Sequence, residues 1–157
     1  KEYPKHYGEE FEPLAKRAYD ASEFLLVNGL TDRLETSQGV PATLTYHDAC
    51  HLSHGQGVRS QPRELIKAIP QAQFVELEES DRCCGSGGIY NLTQPTLARK
   101  MLDRKWSFIE QTGAKIVATG NPGCHAWIEQ AAKEQGGSLR VVHTLDLLES
   151  SFSGLRG

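Results

Sequence analysis

The chain has 157 residues, a formal net charge of −3 and a sequence pI near 6.1. This length suits one domain with a hydrophobic core, and the charge provides no basic field, so we expect no nucleic-acid partner. No apolar run approaches the roughly 18–20 residues that span a bilayer. The chain starts at Lys1 without an initiator methionine or a signal peptide, which predicts a piece of a longer protein.

The N-terminal part of the chain carries a helical pattern. Apolar residues recur at helical spacing between Leu14 and Leu26, which predicts one amphipathic helix over residues 12–28 that stops at Gly29. Residues 31–39 are polar and contain turn-forming residues, so we expect a loop there.

From residue 42 onward, β-like runs alternate with helical patterns. We predict strands at 42–47, 73–77, 115–119 and 138–143, and helices at 62–69, from 91 or 93 to 112, 124–135 and 144–152. The alternation predicts an α/β fold, a three-layer sandwich in which helices flank a four-stranded, mostly parallel sheet. Right-handed crossovers then place the carboxyl ends of the strands at one edge, where ligands bind in such sheets.

Four cysteines follow the first three predicted strands, namely Cys50, the adjacent Cys83 and Cys84, and Cys124. Their positions predict that all four thiols lie at the C-terminal edge of the sheet. A disulfide between neighbours closes a strained ring, and reduced thiols suit a cytosolic α/β protein better than a disulfide framework does. Several thiolates held close together on a stiff scaffold are what a zinc ion or an iron–sulfur cluster requires.

A glycine-rich turn directly follows the vicinal pair and consists of Gly85, Ser86, Gly87 and Gly88. Such a turn can direct backbone N–H groups toward an anion, so we predict that these residues bind the cofactor through hydrogen bonds to its sulfides. A phosphate loop is the alternative. The turn lacks the P-loop lysine, however, and Tyr90 stands where a dinucleotide fingerprint has its third glycine.

Histidines His47, His51, His54 and His125 lie close in sequence to the thiols. They allow three interpretations: hydrogen-bonding or surface residues, metal ligands, and bases that activate a cysteine nucleophile. No local protease-like signature accompanies the cysteines, which disfavours the nucleophile. Cysteines that act only as small buried hydrophobes would explain one or two thiols, but not a vicinal pair within a polar glycine turn.

The order Cys50, then Cys83-Cys84-Gly85, then Cys124 resembles the cysteine-rich "CCG" domain of glycolate oxidase iron–sulfur subunits, lactate-utilisation proteins and heterodisulfide reductase subunits. The resemblance covers residues 42–150, and the sequence around the cysteines is most similar to the glycolate oxidase subunits. It implies that residues 41–157 are the CCG domain. Residues 1–40 would then be a helical segment that follows a first CCG half outside this chain.

The resemblance also implies a function. It indicates an iron–sulfur electron-transfer domain of a 2-hydroxy-acid (glycolate) oxidoreductase complex, with FAD-containing glycolate oxidase subunits as partners and a quinone or another acceptor downstream. Hydride abstraction would belong to the flavin partner, so the chain alone would not be catalytic. The complex would lie in the cytoplasm, in peripheral association with the inner membrane.

The implied ligands are Cys50, Cys83, Cys84 and Cys124, with His51 or His125 able to complete a mixed site. Asn121 stands where heterodisulfide reductase versions carry a further cysteine, which argues against their noncubane cluster. The thiols suffice for one conventional cluster, such as [4Fe–4S], or for one zinc ion. The alternative function is therefore a zinc-stabilised or metal-free docking domain for the flavin subunit.

Overall fold

The computed structural model describes residues 1–154, and its centre is a parallel sheet. The strands are β1 (Thr43–His47), β2 (Gln73–Phe74), β3 (Ile116–Thr119) and β4 (Arg140–His143). They pair in the order β2-β1-β3-β4, and each neighbouring pair is parallel. The predicted α/β class and parallel sheet are confirmed.

Strand β2 is shorter than the predicted span of 73–77. The N–H of Val75 still donates to the carbonyl of Leu44, but the carbonyl of Val75 accepts from the Thr45 hydroxyl rather than from strand backbone. The chain therefore leaves the sheet at this point and turns toward the vicinal cysteines.

Helices pack on both faces of the sheet. They are α1 (Tyr3–Tyr7), α2 (Glu12–Arg17), α3 (Ala21–Val27), α4 (Leu30–Glu35), α5 (Ser60–Lys67), α6 (Tyr90–Thr93), α7 (Pro95–Gln111), α8 (Pro122–Glu134) and α9 (Thr144–Ser153), with a 3-10 helix at Glu9–Phe11 and a π-helix at His51–Gln56. Within residues 1–154, no helix is long and apolar enough to cross a membrane. The long predicted helices from α5 onward are present, with ends shifted by a few residues.

The sheet separates two hydrophobic cores. One core joins α3, α4, α5 and α9 to the sheet face that carries Leu44, Tyr46 and Ile116. The other joins α7 and α8 to the opposite face, around Val117 and Val141. Because side chains alternate along each strand, residues next to one another in sequence enter different cores. The three-layer arrangement follows from this alternation.

The single helix predicted over residues 12–28 is wrong, because the chain breaks between α2 and α3. Ala18 has an extended backbone, and Asp20 then starts α3 with a capping box: its carboxylate accepts from backbone N–H groups, and Glu23 accepts from the N–H of Asp20. A capping box satisfies N–H groups that a helix start leaves without partners. Starting a second helix is therefore favourable at this point.

The loop predicted at 31–39 is also partly wrong, because α4 occupies its first half. Gly29 adopts a left-handed backbone (φ 72°), which lets α4 follow α3 at once. Leu34 on α4 is completely buried in the core shared with α5 and α9. Burial of this leucine stabilises a helix that the polar composition of the segment does not indicate.

An ion pair between Asp48 and Arg63 joins the loop after β1 to α5, and Arg63 also contacts the turn after β2. The Arg63 guanidinium on α5 binds both carboxylate oxygens of Asp48, at 2.9 and 2.6 Å, and its Nη2 also donates to the Ser80 hydroxyl. Burial alone would raise the pKa of Asp48, but these hydrogen bonds and the charge of Arg63 outweigh it and lower that pKa. The pair holds in place the two segments that lead into the first three cysteines.

We expect Asp48→Asn to lower the free energy of unfolding by about 3 kcal/mol, because it leaves a largely buried guanidinium without its buried counter-charge. The matched control is Glu76→Gln, which removes the other carboxylate partner of Arg63. The Glu76 side chain is 53% exposed, whereas that of Asp48 is 3% exposed. The control should therefore lose less than about 1 kcal/mol. Urea unfolding of both variants measures the difference, and equal losses would contradict this account of the pair.

Candidate metal centre at the sheet edge

Cys50 follows β1 and immediately precedes the π-helix, where it is half-buried. Leu52 of the π-helix packs with Ala49 and Val58 in a small apolar cluster. Gly57 ends it with a left-handed backbone (φ 70°). Single π-turns are frequent at functional sites. Here the turn presents the first thiol at the edge of the sheet.

The vicinal cysteines lie at the end of the turn that follows β2. Cys84 is completely buried in the core with α7 and α8, whereas Cys83 is half-buried. Gly85 then takes a left-handed backbone (φ 96°), and a Cβ atom added there would lie 2.5 Å from the carbonyl oxygen of Ala98 on α7. The glycine turn is thus packed directly on helix backbone. Only a glycine allows this approach.

Cys124 lies in the first turn of α8. The side chain of Asn121 caps this helix, because its Oδ1 accepts from the N–H of Cys124 at 3.0 Å. The cysteine is 6% exposed. Asn121 therefore has a structural role here. It holds the helix start that presents Cys124.

The predicted thiols meet at one cavity of about 450 Å³ at the C-terminal edge of the sheet. Its lining includes Cys50, Cys83, Cys84 and Cys124, together with His47, His51, Ser86, Gly87, Gly88, Asn121 and Gly123. All four cysteines are free thiols. The structure thus brings the predicted thiols together, and their binding of a metal stays a prediction.

Three donor atoms form the tightest group in this cavity. The sulfurs of Cys84 and Cys124 and a ring nitrogen of His47 all lie within 4.8 Å of one another, and all three residues are buried. Cys50 and Cys83 line the more open side. The arrangement offers a buried N,S,S set with two further thiols at its rim.

His47 is a site residue that the sequence motifs did not single out as a ligand. Its side chain is 1% exposed, and neither ring nitrogen has a hydrogen-bond partner among the described residues. A buried polar group without a partner is costly unless another group satisfies it. An imidazole nitrogen beside two thiols fits a metal ligand, so the residues present fit a bound metal. The sequence feature that could have identified His47 as a ligand is its place at the end of a predicted strand, close to Cys50.

Ser86 connects the two buried sulfurs. Its Oγ lies 3.4 Å from Sγ of Cys84 and 3.8 Å from Sγ of Cys124. A hydrogen bond from the Cys124 thiol lowers the pKa of Cys84, against the opposing effect of burial. The same bond, together with burial, raises the pKa of Cys124.

The glycine turn contacts one thiol through its backbone, and the predicted binding of a cofactor by this turn stays a prediction. The N–H of Gly85 donates to Sγ of Cys83 at 3.3 Å. Gly87 and Gly88 line the cavity from its exposed rim. The contact supports a role for the turn in stabilising negative charge on sulfur.

The two candidate histidine ligands have different positions. His51 is exposed and lines the cavity, where its Nδ1 accepts from the Asn121 amide at 3.5 Å. His125 is outside the lining of the cavity, and its Nε2 lies 2.9 Å from the carbonyl oxygen of Val141. Hydrogen bonding to β4 thus directs that nitrogen of His125 away from the thiols. The structure brings His51 to the site and does not bring His125.

Comparison with known proteins identifies the family to which this chain belongs. The model of the CCG family, described as a cysteine-rich domain, matches residues 44–129, which is more than half of the chain. The match confirms the resemblance predicted from the cysteine motifs.

Three relatives are similar over most of the chain. The probable glycolate oxidase iron-sulfur subunit of Bacillus subtilis is 37% identical over 118 residues, which is 74% of this chain and 27% of that protein. A subunit of the fumarate reductase (CoM/CoB) of Methanothermobacter marburgensis is 36% identical over 98% of this chain and 30% of that protein. Lactate utilization protein A of Oceanobacillus iheyensis is 32% identical over 90% of this chain and 57% of that protein. The chain therefore spans about a quarter to somewhat more than half of these relatives.

We expect Gly85→Ala to destabilise the site segment by roughly 1–3 kcal/mol, because it combines a strained backbone with a collision against the Ala98 carbonyl. Gly87→Ala is the matched control, since a Cβ atom at Gly87 meets nothing within 4 Å. Urea unfolding of both variants tests this. A loss at position 87 as large as that at position 85 would show that the packing on α7 is not the cause.

Proposed function

We propose, from the premise that this chain belongs to the CCG cysteine-rich domain family, that it is an iron–sulfur electron-transfer domain. The observation that supports the proposal best is the meeting of thiols from three separate segments at one cavity. Chance burial of cysteines as small hydrophobes would not place thiols from each of those segments around one space.

The proposed ligands are Cys50, Cys83, Cys84 and Cys124. A bound iron–sulfur cluster would supply one-electron transfer, and the hydrogen bonds and burial around its sulfurs would set its potential. This chain provides such donors on both sides of the thiols: the N–H of Gly85 at Cys83 and the hydroxyl of Ser86 between the two buried sulfurs. The buried side excludes water from Cys84 and Cys124, while Cys50 and Cys83 lie nearer the surface.

We further propose that the domain works in a complex that oxidises a 2-hydroxy acid such as glycolate. In this role it receives electrons from an FAD-containing subunit and passes them to a quinone or another acceptor. The names of the relatives, which include a glycolate oxidase iron-sulfur subunit and a fumarate reductase subunit, support an oxidoreductase complex. The domain itself would relay electrons, in the cytoplasm and in peripheral association with the inner membrane through its partners.

The second candidate is a zinc-stabilised domain that docks the flavin subunit. The close group of His47, Cys84 and Cys124 favours it, because a mixed nitrogen and sulfur set is one that zinc binds readily in structural sites. In that case one of the rim thiols would complete four-coordination. The metal would then stabilise the fold and carry no electron.

Metal analysis after anaerobic purification of the full-length protein tests the proposal. We expect iron and acid-labile sulfide in the wild-type protein, with the absorption and paramagnetic resonance signals of an iron–sulfur centre. Cys83→Ser and Cys84→Ser should each remove the metal, because each deletes a proposed ligand. Retention of metal in both variants, or a protein that stays free of iron after anaerobic reconstitution, would contradict the electron-transfer proposal.

Substitution of the histidines distinguishes the electron-transfer domain from the zinc-stabilised docking domain. We expect His47→Gln to retain iron if the four thiols hold a cluster, whereas the same change should release zinc if His47 is a ligand. His125→Gln is the matched control, since this histidine lies outside the cavity lining and should leave either metal in place. Iron and zinc quantified per chain give the answer. Zinc at one equivalent that is lost only from the His47 variant would favour the docking domain.

A further inference from the structure

Lys105 is a lysine that the fold buries almost completely. It lies on α7, and only 2% of its surface is exposed. Fully buried lysines are rare unless another group pairs with them, because removing an ammonium group from water is costly. Its position therefore requires an explanation.

The ammonium group of Lys105 contacts backbone rather than a carboxylate. Its Nζ donates to the carbonyl oxygens of Glu79 and Ser80, the latter at 3.4 Å, and in the part of the chain that the structure describes it forms no ion pair with an acidic side chain. These carbonyls belong to the turn that leads into the vicinal cysteines. The contact holds the turn in place, but carbonyl dipoles do not neutralise the positive charge.

Lys105 lies close to the segment that carries the vicinal cysteines. Lys105 and Cys83 line a common cavity of about 450 Å³, which is separate from the cavity of the candidate metal site. Burial lowers the pKa of Lys105, and negative charge on Cys84 is the foremost influence that opposes it, followed by Glu79, Asp81 and Asp48. The ammonium group is therefore a buried cation at the turn that leads into the two adjacent thiols.

A buried charge in this place acts on the site through the protein interior. Interactions between buried charges are screened much less by water and salt than those between surface charges. A cation next to thiolates stabilises the more negative of two states of any group that they hold. For a redox centre, the more negative state is the reduced one.

We propose that Lys105 is a positioning residue whose buried positive charge favours the reduced state of the centre held by Cys83 and Cys84 and so raises its reduction potential. This inference rests on the proposed electron-transfer function. The reduction adds one electron from the reduced flavin partner, and Lys105 keeps its proton in both states. Lys105 would thus make electron transfer into this domain more favourable.

Anaerobic redox titration of the full-length protein, followed by optical absorption and paramagnetic resonance, tests the inference. The informative variants are Lys105→Met, which fills a similar volume without charge, and Lys105→Gln, which retains a hydrogen-bond donor without charge. At the wild-type midpoint potential, we expect the ratio of reduced to oxidised centre to fall by about tenfold in both, as the loss of one buried charge predicts. The titration needs only the fraction that binds metal, so partial occupancy does not prevent it.

Two control variants separate the effect of the buried charge from the effect of altered side-chain packing. Lys100→Gln removes an exposed charge from the same helix and should leave the ratio within about twofold of wild type, because water screens that charge. Lys105→Arg keeps a cation and should stay closer to wild type than either neutral variant. An unchanged ratio in both neutral variants, or equal falls in the arginine and neutral variants, would overturn the role of the charge while leaving the electron-transfer proposal intact. A wild-type protein that takes up no iron would instead contradict both.

Discussion

The structure depends on the parallel pairing of its two central strands. In this register His47 at the end of β1 lies beside Thr119 at the end of β3. Cys50 and Cys124 follow these residues within a few positions, so both reach the same edge of the sheet. A shift of one residue in this register would turn every side chain of one strand to the opposite face. The hydrophobic cores on the two faces therefore fix the site along with the fold.

The sheet alone does not place the vicinal pair, because β2 is short and ends well before Cys83. Polar contacts complete the placement. The Arg63 guanidinium binds Asp48 and Ser80, and the ammonium group of Lys105 holds the carbonyls of the same turn from the side of α7. These two cations thus help to fix a turn whose Leu77 side chain also enters the core around α7 and α8. The strength of such contacts in a dry interior explains how a loop can hold thiols stiffly.

Much of this arrangement could be predicted from the sequence. Alternating strand and helix patterns indicated the parallel sheet, and the cysteines after the strands indicated the edge where they meet. The break before α3 was missed although its signal, Asp20 followed three residues later by Glu23, is present in the sequence. Helical periodicity alone continues through such a break, because the capping residues do not interrupt the apolar pattern.

Other features could not be predicted, because they depend on packing between distant segments. Lys105 has the sequence context of a surface lysine, and only the contact of α7 with the turn after β2 buries it. His47 is one of four histidines that the sequence leaves open as ligands, and only the fold shows that it lies beside the buried Cys84 and Cys124. The sequence shows which residues are able to bind a metal, and the tertiary structure decides which of them meet.

The central claim is that segments from three parts of the chain act as one metal site through their thiols. X-ray absorption at the metal edge of the anaerobically loaded full-length protein tests it most directly. We predict a nearest shell dominated by sulfur at about 2.3 Å, as thiolate ligation gives, with sulfur lost when either Cys50 or Cys124 is replaced by serine. A nearest shell of oxygen and nitrogen, unchanged by those replacements, would contradict it.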